Sequence, residues 1–155
     1  MHYKDRTLDR IDRIIVEALT DNARLSMRDL AALADMSAPA IKDRLRRLEN
    51  LQIIDSYTVS LNPRALGYTL QALIRIKPLP GQLHKVQQLI QEMPQCIECD
   101  KVTGEDCFVA RLWLPSIDDL DPLLAPLAER AETSSSIVKA MTVARRNPPL
   151  LFADG

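Results

Sequence analysis

The residues best suited to chemistry are a group of cationic side chains in the N-terminal half of the chain. The segment 37–47 holds four basic residues and one acid, Asp43, so its local charge is +3 although the 155-residue chain has a formal net charge of −1. On a helix, long cations reach DNA phosphates, whereas residues near the helix N-terminus reach base edges. An ordinary solvated helix face has the same composition, so the neighbouring elements must decide. The four basic residues are Lys42, Arg44, Arg46 and Arg47.

Two shorter helices are predicted before this segment. Apolar residues from Leu8 to Leu19 recur at helical spacing behind Asp9, a predicted N-cap. Ser26 and Asp29 form an approximate capping box for a second helix, in which Leu30, Leu33 and Ala34 are expected to be buried. A turn at 35–37 leads to a third helix capped by Ser37, whose buried side is formed by Ile41, Leu45 and Leu48. Three helices with this short turn predict a helix-turn-helix.

In this setting the third helix is interpreted as a DNA-reading element. Its exposed side would present cations to phosphates and its first turn would lie nearest the bases. Asp43 has two interpretations: it accepts a hydrogen bond from a cytosine amine, or it orients Arg46 or Arg47 through an ion pair on the helix surface. The predicted DNA-binding residues are Lys42, Arg46 and Arg47 at phosphates, Ser37, Pro39, Ala40 and Asp43 near the bases, and Arg44 within the same basic group.

The remainder of the chain predicts a ferredoxin-like sandwich. Residues 57–59 favour a strand, and a domain boundary is expected near Leu61, where Asn62-Pro63 begins a connection. Beyond it the pattern gives strand, helix, strand, strand, helix and strand, at 70–76, 83–93, 96–103, 107–114, 117–131 and 137–143. Pro122 and Pro126 conflict with the second helix, which should be kinked or start late. This order is the split βαβ arrangement, with two helices on one face of an antiparallel sheet.

One face of that sheet is predicted to be covered by a second copy. Leu73, Val109 and Trp113 fall on neighbouring strands on the side away from the helices, where an apolar patch calls for a partner. The alternative is that they are tolerated as isolated apolar surface residues. These three residues are the predicted dimer interface.

Other chemistry is weakly supported. Cys96 and Cys99 have the spacing of half a zinc site, but there is no second such pair, and residues three apart on a regular strand point to opposite faces. The chain shows no hydrolase elbow, phosphate loop or catalytic triad. We therefore expect no enzyme activity, no metal and no cofactor. Charge balance and 46% hydrophobic residues exclude a disordered polyelectrolyte, and the lack of a long apolar run or signal sequence predicts a cytoplasmic protein without a membrane partner.

Short motifs are spread along nearly the whole chain. They are Leu8-Asp9-Arg10-Ile11-Asp12, Asn22-Ala23-Arg24-Leu25-Ser26, Asp29-Leu30-Ala31, Met36-Ser37, Arg44-Leu45-Arg46-Arg47-Leu48-Glu49, Ile53-Ile54-Asp55-Ser56-Tyr57, Asn62-Pro63, Leu66-Gly67 and Val102-Thr103-Gly104. Together and in this order they resemble the leucine-responsive regulator/AsnC, or feast-or-famine, family of transcription factors. Three positions depart from that pattern: Asp35 and Gln52 stand where the family usually has Gly, and Cys107 replaces an acid that often ends a glycine loop.

The resemblance implies a winged helix-turn-helix at 1–60, a linker at 61–68 and a ferredoxin-like effector-binding and oligomerisation domain at 69–155. It implies double-stranded DNA, an amino acid effector and a second copy of the chain as partners, with octamers of four dimers common in the family. The alternative interpretation of the two halves is a metabolite-binding or metabolite-processing protein with a helical protein-interaction module. The alternative for the segments 103–107 and 133–136 is that they are only a hairpin turn and the polar start of a strand. Cys107 could form part of a pocket wall or could simply pack in the core. The implied effector residues are Thr103, Gly104, Glu105, Asp106, Cys107, Thr133, Ser134, Ser135 and Ser136.

Overall fold

A computed structural model describes residues 8–151 of the chain. The outer ends of the two predicted domains, 1–7 and 152–155, lie outside the described residues. Within this range, 8–60 and 145–151 fall in one compact unit and 61–144 in another.

The first unit is built from three helices, as the spacing predicts. Helix α1 spans Arg10–Asp21, α2 spans Met27–Ala34 and α3 spans Ala38–Asn50. Asp9, Ser26 and Ser37 each cap the following helix by accepting a hydrogen bond from a backbone N–H three residues on. The predicted caps are therefore confirmed, because each satisfies an amide that the helix itself leaves free.

The core of this unit lies between the three helices. Its buried apolar side chains include Ile15 of α1, Leu30 and Ala34 of α2, and Ile41, Leu45 and Leu48 of α3. The expectation that Leu33 is buried with them is wrong, since Leu33 is 57% exposed. A helix of eight residues has room for only a narrow buried stripe, and Leu33 lies beside that stripe.

The predicted strand at 57–59 is also wrong. The structure assigns no regular secondary structure to residues 55–62, and Tyr57 and Val59 are exposed. Residues with a high strand propensity form a strand only where they can pair with a neighbouring strand, and within the described residues this segment has no such neighbour.

The second unit contains the βαββαβ order. It comprises β1 (Leu70–Pro78), α4 (Leu83–Gln91), β2 (Cys96–Lys101), β3 (Phe108–Leu114), α5 (Leu120–Ala128) and β4 (Ala131–Ile137). The antiparallel sheet has the order β2-β3-β1-β4. Its core-facing residues include Ala72, Ile74 and Ile76 of β1 and the buried Phe108, Ala110, Leu112 and Leu114 of β3. The ferredoxin-like prediction is confirmed.

The last strand differs from the prediction. It runs through the polar residues Ala131–Ile137 rather than through 137–143, and only Ala131 is buried. Strand β4 lies at the sheet edge, where a polar strand is tolerated and limits pairing with other chains. Thr133 to Ser136 therefore lie within the strand instead of leading into it.

Helix α5 starts later than the predicted residue 117. A late start was one of the two outcomes expected from its prolines, the other being a kink. A short 3-10 turn at Ile117–Asp119 precedes the helix, so Pro122 falls in the first turn, where no intrahelical amide bond is lost. Pro126 lies inside the helix. The helix ends at Ala128, three residues before the predicted end.

Cys96 and Cys99 do not point to opposite faces, as residues three apart on a regular strand would. A bulge between Cys96 and Glu98 shifts the register, so Cys96 lies opposite Leu112 and Cys99 opposite Ala110. Both thiols consequently pack towards the same core. Burial raises the pKa of both thiols, that of Cys99 to about 11. Among the described residues, no group of three or more metal-binding side chains is found.

Candidate functional sites

The first candidate site is the exposed side of α3. The Ser37 hydroxyl accepts a hydrogen bond of 3.4 Å from the Ala40 amide, and Pro39 occupies the first turn, where its missing amide costs nothing. Three evenly spaced apolar side chains hold the opposite side of the helix in the core. The predicted base-facing positions Ser37, Pro39 and Asp43 are exposed, and Ala40 is half-buried.

Two of the four cations of α3 lie on one flank of this exposed side. Lys42 and Arg46 are exposed and make no ion pair within residues 8–151. They border an open cleft of about 460 Å³ whose other lining residues include Glu49 and Tyr57. The Tyr57 hydroxyl donates a 2.9 Å hydrogen bond to Glu49, and burial together with this carboxylate raises the pKa of Tyr57.

Asp43 does not orient Arg46 or Arg47 in this structure. It is exposed and makes no ion pair with any described residue. Of the two interpretations, the structure leaves its carboxylate available to accept from a base amine.

The other two cations, Arg44 and Arg47, are bound to α1. Arg44 Nη1 lies 2.6 Å from Asp9 Oδ2 and 3.0 Å from Asp12 Oδ1, and Arg47 Nη1 lies 2.7 Å from Asp12 Oδ2. The Asp12 side chain is completely buried. Nothing in the local sequence indicates this cluster, because its partners are 32 to 35 residues apart.

Two residues of this cluster, Asp9 and Arg44, have altered pKa values. Partial burial alone would raise the pKa of Asp9, but hydrogen bonds from the Asp12 amide and the Arg44 guanidinium outweigh it and lower the pKa. The hydrogen bond to Asp9 raises the pKa of Arg44 in turn. Both shifts favour the charged forms, so the Asp9–Arg44 pair is intact at neutral pH.

The second candidate site joins the two segments implied as effector-binding. The loop 103–107 connects β2 to β3, and β4 carries the second segment. Ile76 of β1 lies opposite both Phe108, which follows the loop, and Thr133. The structure therefore brings the loop and Thr133–Ser136 to opposite sides of β1 at the same level. Within the second segment, Ser134 shares a sheet face with Arg75, whereas Thr133 and Ser135 point to the other face.

Two cations lie between these segments that were not identified from the sequence as site residues. Arg75 Nε lies 3.9 Å from Asp106 Oδ2, and Lys77 Nζ lies 3.9 Å from Glu105 Oε2. All four side chains are about half exposed or more, and ion pairs between such exposed side chains are weak. The alternating pattern of β1 could have indicated them, because Arg75 and Lys77 flank the core residue Ile76 and must therefore lie on the opposite face of the sheet.

The loop itself is held by left-handed backbone. Gly104 has φ +117° and Cys107 has φ +58°. The Val102 amide donates to the Cys107 carbonyl at 2.7 Å and closes the turn. Cys107 also packs partly buried against the core of the sheet, so of its two interpretations packing is present in the structure.

The outer sheet face carries the predicted dimer contacts. Leu73, Val109 and Trp113 are all half-buried on the face away from the helices. The guanidinium carbon of Arg64 lies 5.9 Å from the centre of the Trp113 ring, a cation–π distance, so that ring is partly covered from within the unit.

The fold and sites define a class of protein. Residues 8–55 match the family of winged helix-turn-helix DNA-binding domains, and residues 71–148 match the Lrp/AsnC ligand binding domain. The protein is a DNA-binding transcriptional regulator with a separate ligand-binding domain, and it is not an enzyme. No helix within residues 8–151 is long and apolar enough to cross a bilayer.

Individual relatives make the assignment specific. The chain is 31% identical over 140 residues to the transcriptional regulator LrpA of Mycobacterium tuberculosis, covering 90% of this chain and 91% of that protein. A feast or famine regulatory protein of M. tuberculosis, solved with L-methionine, superposes with a TM-score of 0.82 at 30% identity, covering 92% and 99% of the two chains. LrpC of Bacillus subtilis has the same fold, with a TM-score of 0.83 at 24% identity over 90% and 99%. The chain belongs to the Lrp/AsnC family of transcriptional regulators.

Proposed function

We propose that this regulator reads DNA with the first two and a half turns of α3. Lys42 and Arg46 contact phosphates, while Ser37, Pro39, Ala40 and Asp43 lie against base edges. The observation that carries this assignment is that Lys42 and Arg46 are exposed on α3 and make no ion pair among the described residues, while the helix N-terminus capped by Ser37 is also exposed. The dipole of α3 also favours a negatively charged phosphate near that N-terminus.

The experiment is DNA binding by wild type, Lys42→Gln and Arg46→Gln in increasing salt. Removal of one phosphate contact should lower the slope of log affinity against log salt by about 0.9 per subunit. Lys85→Gln is the matched control, because Lys85 is an exposed lysine of α4 in the other unit. A wild type without salt-dependent binding, or unchanged slopes in both variants, would contradict the assignment.

We also propose that the surface between the loop 103–107 and Thr133–Ser136 binds an amino acid. Arg75 and Lys77 offer cations for a carboxylate, Glu105 and Asp106 offer carboxylates for an ammonium, and Ser134 adds a hydroxyl. The weak pairs can exchange for ligand groups at little cost. The relative solved with L-methionine supports this class of ligand.

Thermal-shift screening of the twenty amino acids tests the effector, because a ligand that binds only the folded state raises its melting temperature. Gly104→Leu should abolish the calorimetric signal of any hit, since φ +117° is strained for every residue with a Cβ. Gly81→Leu also places a side chain at a positive φ, +78°, in the turn after β1, and should retain the signal. An undiminished titration by Gly104→Leu would move the pocket elsewhere.

The partner in assembly is a second copy of the chain. The two copies pair through the outer sheet face at Leu73, Val109 and Trp113, and further association into octamers would follow the family. As a DNA-binding regulator, the protein would act in the cytoplasm.

A further inference from the structure

The four cations of α3 are divided into two pairs by their surroundings. Lys42 and Arg46 lie on the flank that borders the open cleft. Arg44 and Arg47 lie on the flank that faces the start of α1, where each has a carboxylate oxygen within 3.0 Å. The four cations that the sequence places in one basic group therefore differ in their surroundings.

Asp12 is the residue that joins these elements. Its carboxylate is fully buried and divides its oxygens between the two arginines, with Oδ1 on Arg44 and Oδ2 on Arg47. Oδ2 also accepts from the Asp9 amide at 3.2 Å, as part of the α1 capping box. Hydrogen bonds to a charged acceptor are short and strong, and a buried carboxylate that loses its partners is costly.

We propose that Asp12, with Asp9, acts as a positioning residue that withholds Arg44 and Arg47 from the DNA backbone. When the two carboxylates are included, the local charge around the recognition surface falls from +3 to +1. The non-specific electrostatic attraction is reduced accordingly, and base contacts determine a larger share of the affinity. This inference rests on the proposed function of α3 and assigns a specificity role to a side chain that never touches DNA.

Adjacent arginines supply the decisive comparison. Arg46→Gln and Arg47→Gln remove the same group from neighbouring positions on α3. Arg46→Gln should reduce the salt slope by about 0.9 per subunit on a random-sequence duplex. Arg47→Gln should lower the melting temperature and leave the slope unchanged. An equal reduction of slope in both variants would overturn the proposal while leaving α3 as the DNA-reading helix.

Asp12→Asn provides the converse test. Released arginines should strengthen binding to the random duplex and steepen the salt slope by about 0.9 per subunit for each arginine that reaches a phosphate. The preference for a duplex selected by wild type from a random pool should fall. An Asp12→Asn protein that folds, by circular dichroism, and keeps the wild-type slope and preference would contradict the proposal.

The outcomes separate this inference from the proposed function. If Asp12→Asn does not fold, the Arg46 and Arg47 variants decide alone. If wild type and all variants lack salt-dependent DNA binding, the proposed function itself fails. A purely structural role for Asp12 would change only the melting temperature.

Discussion

Three residues depart from the family pattern, and all three have left-handed backbone. Asp35, Gln52 and Cys107 have φ of +52°, +54° and +58°, and they are the non-glycine residues with positive φ among those described. At Asp35 and Gln52, where the resemblance leads us to expect glycine, the turns have the geometry that glycine allows and the side chains bear the strain. Asp tolerates this region by local hydrogen bonding, whereas Gln and Cys have less compensation.

Of these three positions, Gln52 is the one at which we expect a substitution to glycine to increase stability most. Its amide donates to Glu49 and the next amide, that of Ile53, donates to Leu48, the paired bonds that end a helix with a left-handed residue. Gln52→Gly should raise the free energy of unfolding by about 0.5–1 kcal/mol, since relief of about 1–2 kcal/mol of strain exceeds the entropy that glycine adds to the unfolded chain. Urea denaturation measures the change. Gln52→Ala retains the strain and serves as control; an equal gain there would disprove the backbone explanation.

Asp9 should make stability depend on pH in the acid range. Its pKa is lowered in the folded state from an ordinary value of 3.8, so its stabilising effect is present above that value and disappears as pH falls through the folded pKa. Asp9→Asn retains an N-cap and removes only the charge. We expect the variant to be less stable by about 0.5 kcal/mol at pH 7, because the pair is half exposed, and we expect this difference to disappear as pH falls through the folded-state pKa of Asp9. A difference that does not change with pH in the acid range would show that the cap, not the charge, is responsible.

At the scale of elements, α2 depends on its ends. It has eight residues and two buried side chains, so packing alone stabilises it weakly. Its first turn is fixed by reciprocal bonds, from the Asp29 amide to Ser26 Oγ at 3.1 Å and from the Ser26 amide to Asp29 Oδ2 at 3.0 Å. The position of α2, which packs against α3, therefore depends on this cap.

Removal of that cap should be measurable. Ser26→Ala should lower the free energy of unfolding by about 1 kcal/mol, because the Asp29 amide loses its acceptor. Ser56→Ala, at an exposed position without regular structure, is the control and should change little. Chemical denaturation of both variants gives the comparison, and matching decreases would show that the Ser26 hydroxyl is not acting as a cap.

At the scale of the whole molecule, the outer sheet face should decide assembly. Val109 is half-buried on β3, opposite Arg75 of the neighbouring strand. Val109→Asp would place a carboxylate in the proposed dimer contact, where removing a charge from water is unfavourable even with Arg75 beside it. We expect the variant to sediment as a smaller species than wild type with its circular dichroism spectrum unchanged. The control is Lys85→Asp, which changes the charge of an exposed residue on α4 and should sediment like wild type. If Val109→Asp also sediments like wild type, this face is not the interface.

The sequence by itself determined the features that depend on near neighbours. Caps at Asp9, Ser26 and Ser37, the buried side of α3 and the order of strands and helices along the second unit follow from spacing, since a helix turn or a strand alternation is set by residues a few positions apart. The exposed position of Lys42 and Arg46 follows from the same periodicity.

Only the tertiary structure decided what depends on distant partners. Sequence cannot show that Asp12 takes Arg44 and Arg47, that a bulge turns Cys96 and Cys99 to one face, or that β4 pairs through its serines rather than the later valines. Ion pairs and strand registers are chosen by which remote element lies alongside, and local propensity contains no information on that neighbour. For this reason the sequence located the basic helix α3, and the tertiary structure determined which of its cations are ion-paired to α1.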